Sequence, residues 1–428
     1  MRHNRRKHPF YRTFTKQACA LLKRTLWTTV LILCISGMTM GQEGRFEYPV
    51  FDEVVCTESI PFSSATAQGA SSPSTLYLDF YEPEGDTMAS RPLVITVFGG
   101  AFVTGSRDFV DMREYCNRLS TYGYVAASID YRLLPFSSLT AEGLIRTGYM
   151  AAQDVSSAIR FFKAHGEEYR VDTAAIFLLG NSAGSIAILH EVFMDDDERP
   201  AETYNQPDLG GIHDSGYEEY LHYSPNVAGI IPQWGGVTDV DIIDVDETTP
   251  ICLIHGTDDN TVPYDSGYCY GGYLPNLMPF MYGSHPIAEH LEAIQHPDFE
   301  LHPFEGEEHA FYFTITYQLD MPKFDSCFSI VRDFLLRQLN THSQISVEHH
   351  EPLISVYPNP AADVLHVIGP IEKEDTFAVI DLSGKYRLSV IATSVGDVSL
   401  DVSRLSRGVY LLLYRKKDQI MTVKFEKR

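Results

Sequence analysis

The chain has 428 residues, 33 of them Lys or Arg and 57 Asp or Glu, for a formal net charge of −24 at pH 7. Hydrophobic residues make up 44%, enough for a real core, and the length allows one large domain plus a smaller one. So acidic a body argues against nucleic acid and against anionic membrane surfaces as partners.

The charge is unevenly spread. Arg2, Arg5, Arg6, Lys7, Arg12, Lys16, Lys23 and Arg24 precede any acidic residue, and an apolar run follows over 26–38. That run is short for a bilayer span and fits the core of a signal peptide behind a basic segment. Small residues around Thr39 and Gly41 place cleavage before Gln42, which would remove residues 1–41 and leave no stable membrane span. The alternative is an N-terminal anchor. Leu33 stands where a lipoprotein signal wants a small residue, which argues against a lipid anchor at Cys34. Residues 42–352 hold 14 basic against 48 acidic side chains, while 353–428 hold 11 against 9. Such an asymmetry predicts a large domain over 42–340, a linker over 341–352 and a small domain over 353–428. Five cysteines lie beyond the leader: Cys56, Cys116, Cys252, Cys269 and Cys327. In an exported chain an odd number leaves at least one free or intermolecular, and Cys252 reads as a reduced core cysteine. No C-x-x-C pair or His-rich cluster points to a metal, and no cofactor is expected.

In the large domain, 76–81 alternates like a strand and is followed by a Pro-Glu-Gly-Asp turn. Residues 92–98 read as a buried strand ending in Gly99-Gly100-Ala101-Phe102, 112–121 as a helix, and 123–132 as another strand. An amphipathic stretch over 150–163 precedes the apolar run 175–179. Strands alternating with helices at this spacing predict an α/β fold, a mostly parallel sheet with helices on both faces. Chemistry in such sheets sits at the carboxyl ends of the strands.

One such end carries Gly180-Asn181-Ser182-Ala183-Gly184, a G-x-S-x-G between an apolar strand and a helix of small and apolar residues. A strand that turns abruptly into a helix strains the central residue and leaves no room for side chains at the flanking glycines. The serine hydroxyl is then exposed at a helix N-terminus, which favours a developing anion. The bare five-residue pattern also arises by chance, so a base, an acid and oxyanion donors must be found elsewhere. Gly99, Gly100 and Ala101, after another buried strand, allow backbone N–H groups to approach an oxyanion, with the Ala183 N–H as partner; the other reading is a tight turn.

The order strand–Gly-Gly-x-Phe, Asp130-Tyr131-Arg132-Leu133, then G-x-S-x-G resembles the α/β-hydrolase superfamily, within it the carboxylesterase and lipase-like branch, over most of 70–340. In that branch the first motif usually reads His-Gly-Gly-Gly; here Phe98 replaces the histidine and Ala101 the third glycine, which leaves the oxyanion donors open among Gly99, Gly100 and Ala101. Asp130 and Arg132 match positions that hold loops near the site. The acid and base must follow in the order Ser, Asp, His. His255-Gly256-Thr257-Asp258-Asp259-Asn260-Thr261-Val262-Pro263 is similar to the family's His-Gly-x-x-Asp-x-x-Val-Pro segment, which puts the acid at Asp259, with Asp258 the neighbouring alternative. The terminal strand and histidine loop match 299–311, with His309 the candidate base and His302 the second. Ser182, Asp259 and His309 would then form a catalytic triad.

Two long stretches, 191–226 and 264–285, leave strand ends near the presumed pocket and either cap it or are surface loops. Phe102 and Trp234 are candidate pocket residues, Trp234 for the acyl part, and tyrosine-rich walls suit aromatic or glycan-linked acyl groups.

Beyond the linker, β-type runs at 354–357, 364–368, 377–380 and 409–414 suggest a small antiparallel sandwich. Tyr357-Pro358-Asn359-Pro360, Asp381-Leu382-Ser383-Gly384-Lys385 and Leu405-Ser406-Arg407-Gly408-Val409-Tyr410 resemble the C-terminal sorting domain of type IX secretion cargo. That resemblance implies export across the outer membrane, with secretion machinery as partner and a secreted or surface location. A carbohydrate-binding module is the structural rival. The expected function is an exported serine hydrolase acting on a small-molecule or glycan-linked carboxylic ester. The rivals are a serine peptidase of the same fold and a non-catalytic surface binding protein on a hydrolase scaffold.

Overall fold

The computed structural model describes residues 44–428 except 275, 347–354, 370, 374, 382–384, 393–395 and 417–418. The expected signal segment, the later part of the expected linker and the centre of the Asp381–Lys385 motif lie outside the described residues. Two compact units divide between Leu339 and Asn340.

The large unit contains β1 (Val54–Ala65), β2 (Ser74–Pro83), β3 (Arg91–Val97), α1 (Val110–Thr121), β4 (Val125–Ile129), α2 (Ala141–Ala164), β5 (Val171–Asn181), α3 (Ala183–Phe193), β6 (Gly229–Gln233), β7 (Ile251–Gly256), a short hairpin of β8 (Ser266–Tyr268) and β9 (Phe280–Tyr282), α4 (Ser284–Ala293), β10 (Phe299–Phe304) and α5 (Met321–Ser346). One sheet of eight strands runs in the order β1-β2-β4-β3-β5-β6-β7-β10. The first two pairings are antiparallel and all later ones parallel, as the alternating elements predict. Every residue of β3, β4, β6 and β7 is buried. This is why they read as continuous apolar runs, since a central parallel strand is covered on both faces.

β1 escaped the sequence pattern. Its register against β2 shifts between Thr57 and Ile60 and again between Pro61 and Ser63, so no regular alternation survives along it. α2 begins nine residues before the amphipathic stretch does. Thr140 caps it by accepting a hydrogen bond from the Gly143 amide, a start signal set outside the apolar periodicity. On this helix the buried carboxylate of Asp154 holds Arg132 at 2.9 Å. Arg107 bridges Asp79 at 2.9 Å and Asp130 at 2.6 Å. Asp130 and Arg132 thus fasten loops, as the resemblance implies. α5 continues through residues 341–346, where a polar linker was expected.

The small unit holds β11 (Ser355–Tyr357), β12 (Val364–Ile368), β13 (Thr376–Asp381), β14 (Tyr386–Ile391), β15 (Asp397–Asp401), β16 (Gly408–Lys416) and β17 (Gln419–Lys427). They form two antiparallel sheets, β11-β12-β15 and β14-β13-β16-β17. Both sheets contribute to one core, with Leu365, Val367 and Leu400 from the first and Phe377, Val379 and Leu412 from the second.

Candidate active site

Ser182 links the end of β5 to the start of α3 with φ 49° and ψ −118°, a left-handed conformation that costs a non-glycine residue about 1–3 kcal/mol. Its amide donates to the carbonyl of Gln233 at 2.9 Å, which anchors the turn to the end of β6. The flanking glycines are required by space. A Cβ on Gly180 would lie 2.5 Å from the Gly184 carbonyl oxygen, and one on Gly184 would lie 2.1 Å from the Val97 carbonyl oxygen. Gly99 packs against the serine itself, with a Cβ there 3.0 Å from the Ser182 Cβ.

His309 Nε2 is 2.9 Å from Ser182 Oγ, and His309 Nδ1 is 2.6 Å from Asp259 Oδ2. Nδ1 must donate to the carboxylate, so Nε2 is left to accept from the serine hydroxyl. Asp259 follows β7 in a loop whose amides cradle it. Thr261 N and Val262 N donate to Oδ1 at 2.7 and 3.0 Å. Burial alone would raise its pKa, but hydrogen bonds from His255 and His309 outweigh burial and hold the carboxyl at about 2. Asp258, one residue earlier, has its amide bonded to the Glu307 carbonyl, and the residue borders the larger of the two cavities beside Ser182. His302, the second candidate base, lies within β10 with Nε2 3.4 Å from Glu300 Oε2.

His255 was not assigned a role by sequence reasoning. It is fully buried, with Nε2 3.2 Å from Asp259 Oδ2 and 3.0 Å from the Val262 carbonyl. Both are acceptors, so Nε2 carries the proton, and Nδ1 accepts from Ser284 Oγ at 2.8 Å. Asp259 therefore sits between two imidazoles.

The loop after β3 turns sharply, with positive φ at Gly100, Ala101 and Phe102. The Gly100 carbonyl accepts from Val103 N and Thr104 N at 3.1 Å. A Cβ at Gly100 would lie 2.0 Å from the Thr104 carbonyl oxygen. Phe98 stacks on Tyr131 at 4.3 Å between centroids, and Tyr131 Oη donates to the Phe98 carbonyl. The position where the resemblance expects histidine is thus a packing pillar beneath the loop.

Against known proteins, the BD-FAE family matches residues 78–245, and the secretion system C-terminal sorting domain matches residues 355–427. The first match takes in Ser182 and the loop after β3 and stops short of Asp259 and His309. A probable isoprenylcysteine alpha-carbonyl methylesterase, ICMEL1, of Arabidopsis thaliana is 25% identical over 232 residues, 47% of this chain and 45% of that protein. Lipase 2 of Geotrichum candidum is 28% identical over 125 residues, 27% of this chain and 22% of the lipase. The chain thus spans less than half the length of either curated relative. Among solved structures, Thermogutta terrifontis esterase 2 aligns at 20% identity and a TM-score of 0.46, covering 66% of this chain and 94% of that one. The large unit has an α/β-hydrolase fold, carries the BD-FAE match and is similar to esterases and lipases. The small unit is a secretion sorting domain.

Ser182 of the hydrolase domain lies between two cavities. One, of about 100 Å3, is apolar and lined by Phe102, Gly148, Ile186, Met194, Met278 and Met281 among others. The second, of about 710 Å3, is wider and more polar; Gly99, Gly100, Asp258, Trp234, His309 and Tyr317 border it. Ala101 borders both, and Ala183 the smaller one. Both long insertions reach the small cavity, 191–226 through Met194 and Pro200, and 264–285 through Cys269, Tyr270, Met278, Pro279 and Met281. Phe102 lines that cavity, but Trp234 does not. Its ring lies edge-on to His309 at 6.4 Å between centroids and walls the larger space. Of the two candidate pocket residues, Phe102 thus borders the smaller cavity and Trp234 the larger.

Cys56, Cys116, Cys252, Cys269 and Cys327 are free thiols, Cys56 exposed and the others buried. Cys252, Glu300 and His302 place possible metal-ligand atoms within 4.8 Å of one another. Glu300 there is held by Arg337 at 2.9 Å, and a guanidinium beside it opposes a cation in the same place.

Proposed function

We propose that the chain is an exported serine hydrolase that cleaves carboxylic esters through an acyl-enzyme on Ser182. The observation that carries the reading is the Ser182–His309–Asp259 chain of 2.9 and 2.6 Å contacts at a point open to two cavities. In this reading Ser182 Oγ attacks the ester carbonyl carbon while His309 Nε2 takes its proton. The tetrahedral oxyanion accepts from the Ala183 amide and from the loop bearing Gly99, Gly100 and Ala101. Collapse breaks the bond to the alcohol oxygen, which receives the proton from His309, and water repeats the sequence on the acyl-enzyme. Asp259 keeps the proton on Nδ1 and balances the imidazolium.

The two cavities divide the substrate. An apolar cavity of about 150 Å3 holds benzene; the one here, about 100 Å3, suits acyl groups of a few carbons. The larger, more polar space receives the alcohol part, and a glycan-linked ester fits it. Residues 1–41 act as a signal peptide, and the sorting domain hands the protein to secretion machinery for release or surface attachment.

The test is hydrolysis of p-nitrophenyl acetate, butyrate and octanoate by the full chain beside Ser182→Ala. Acetate or butyrate is expected to be the better substrate, with activity reduced by at least about 10³-fold in the variant. Equal hydrolysis by both proteins would remove Ser182 from the mechanism.

A further inference from the structure

Behind the elbow lies a buried polar cluster that the proposed chemistry does not use. Asp111, in the first turn of α1, is fully buried. Its Oδ2 accepts from Asn181 Nδ2 at 2.5 Å and from Tyr312 Oη at 2.9 Å, and its Oδ1 accepts from Met112 N at 2.9 Å. All three donors are neutral, and Asp111 takes part in no ion pair among the described residues. A buried carboxylate without a cation is costly to stability, so a role other than holding the fold together should be sought.

The donors belong to the segments that build the site. Asn181 immediately precedes Ser182. Because a carboxylate only accepts, the Asn181 amide must present its NH2 group to Asp111. Its Oδ1 is thereby turned toward Gly99, where a Cβ would lie 2.8 Å from it. Tyr312 stands three residues after His309, and its hydroxyl is also 3.2 Å from Gln233 Oε1. Gln233 in turn donates from Nε2 to Tyr115 Oη at 2.8 Å, and its carbonyl holds the Ser182 amide. One carboxylate thus connects the nucleophile strand, the end of β6 and the histidine loop.

We propose that Asp111 is a positioning residue whose carboxylate sets Ser182 and His309 in register with each other and with the loop at Gly99. The proposal rests on Ser182 and His309 being the nucleophile and base. Burial, opposed by the hydrogen bonds from Tyr312, Met112 and Asn181, raises the carboxyl to about 6. The titratable groups that face it are Tyr115 and Cys116 from its own helix, Tyr312 from the histidine loop and, through Tyr115, Cys327 from α5.

The test uses full-length Asp111→Asn, Asn181→Asp and the double exchange. Asp111→Asn leaves one acceptor oxygen for three donors and turns an NH2 group toward one of them, the Met112 amide if the oxygen stays on Asn181 and Tyr312. Asn181→Asp sets two carboxylates against each other. Each single variant is expected to lower kcat on p-nitrophenyl acetate by about 10²-fold with KM little changed, the penalty typical of a misplacement near 1 Å. Labelling of Ser182 by a fluorophosphonate should slow in parallel. The double variant, which restores one carboxylate and one amide, should recover at least about 10-fold. The downfield proton resonance of the His309–Asp259 bond reads the same geometry without turnover; it should shift or broaden in the singles and return in the double. A wild-type chain that hydrolyses no ester would sink the proposed function, while this resonance would still decide the role of Asp111. Wild-type kcat and an unmoved resonance in Asp111→Asn would overturn the proposal, as would a double variant no better than the product of the singles. Should the Asp111 variants not fold, Tyr312→Phe removes one donor only and should cost about 10-fold in kcat; an unchanged kcat there would also overturn it.

Discussion

His255→Met tests how much the second imidazole contributes to the candidate acid. The change keeps most of the volume and removes the donor 3.2 Å from Asp259 Oδ2. It also strands the Val262 carbonyl and the Ser284 hydroxyl that His255 now satisfies. Asp259 is lowered from 3.8 to about 2, against burial, by hydrogen bonds from His255 and His309. At 1.36 kcal/mol per unit this corresponds to roughly 2 kcal/mol, and losing one of the two donors should forfeit about half. A folded-state value below the unfolded one contributes stability that is complete above about pH 4 and lost as pH falls toward 2. With the stranded groups included, His255→Met should be less stable than wild type by about 1–3 kcal/mol at pH 7. Urea unfolding at pH 7, 5, 4 and 3 should show that gap narrowing at the acid end. His255→Gln, whose amide N–H reaches about as far as Nε2, should keep most of the wild-type stability. A gap that is absent at pH 7, or constant down to pH 3, would refute the reasoning.

Two further substitutions probe the elbow and the small cavity. Gly184→Ala would put a methyl group 2.1 Å from the Val97 carbonyl oxygen in a central strand, so the start of α3 must move; kcat is expected to fall by more than about 10²-fold along with the thermal midpoint, and an unaltered kcat would contradict the packing. Met281→Ala trims the wall of the small cavity and should raise the ratio of kcat/KM for hexanoate over acetate by about 10-fold or more. It should also cost about 2–5 kcal/mol in urea unfolding. An unchanged chain-length preference would place the acyl group elsewhere.

Several features were settled along the chain itself. The buried strands of the large unit announced themselves as apolar runs because a parallel sheet covered on both faces tolerates no polar alternation. The G-x-S-x-G at 180–184 was legible because its glycines answer a steric demand made within a few residues. Asp259 and His309 became candidates through the resemblance of 255–263 and 299–311 to family segments, in the order Ser, Asp, His that the fold requires. Other features needed the tertiary structure. Asp258 and Asp259 are adjacent and chemically identical; the family spacing favours Asp259 but left Asp258 open, and it is the loop that turns the Asp259 carboxylate into the amides of Thr261 and Val262 and toward His309. Phe102 and Trp234 were both candidate pocket residues, and only the folded chain distributes them between the smaller and the larger cavity, because a position in sequence does not say which wall a side chain joins. β1 was invisible because its bulges break the period on which strand recognition depends. Asp111 lies 70 residues from Asn181 and 201 from Tyr312; nothing local marks it, because its partners are assembled only when α1, the elbow and the histidine loop pack together.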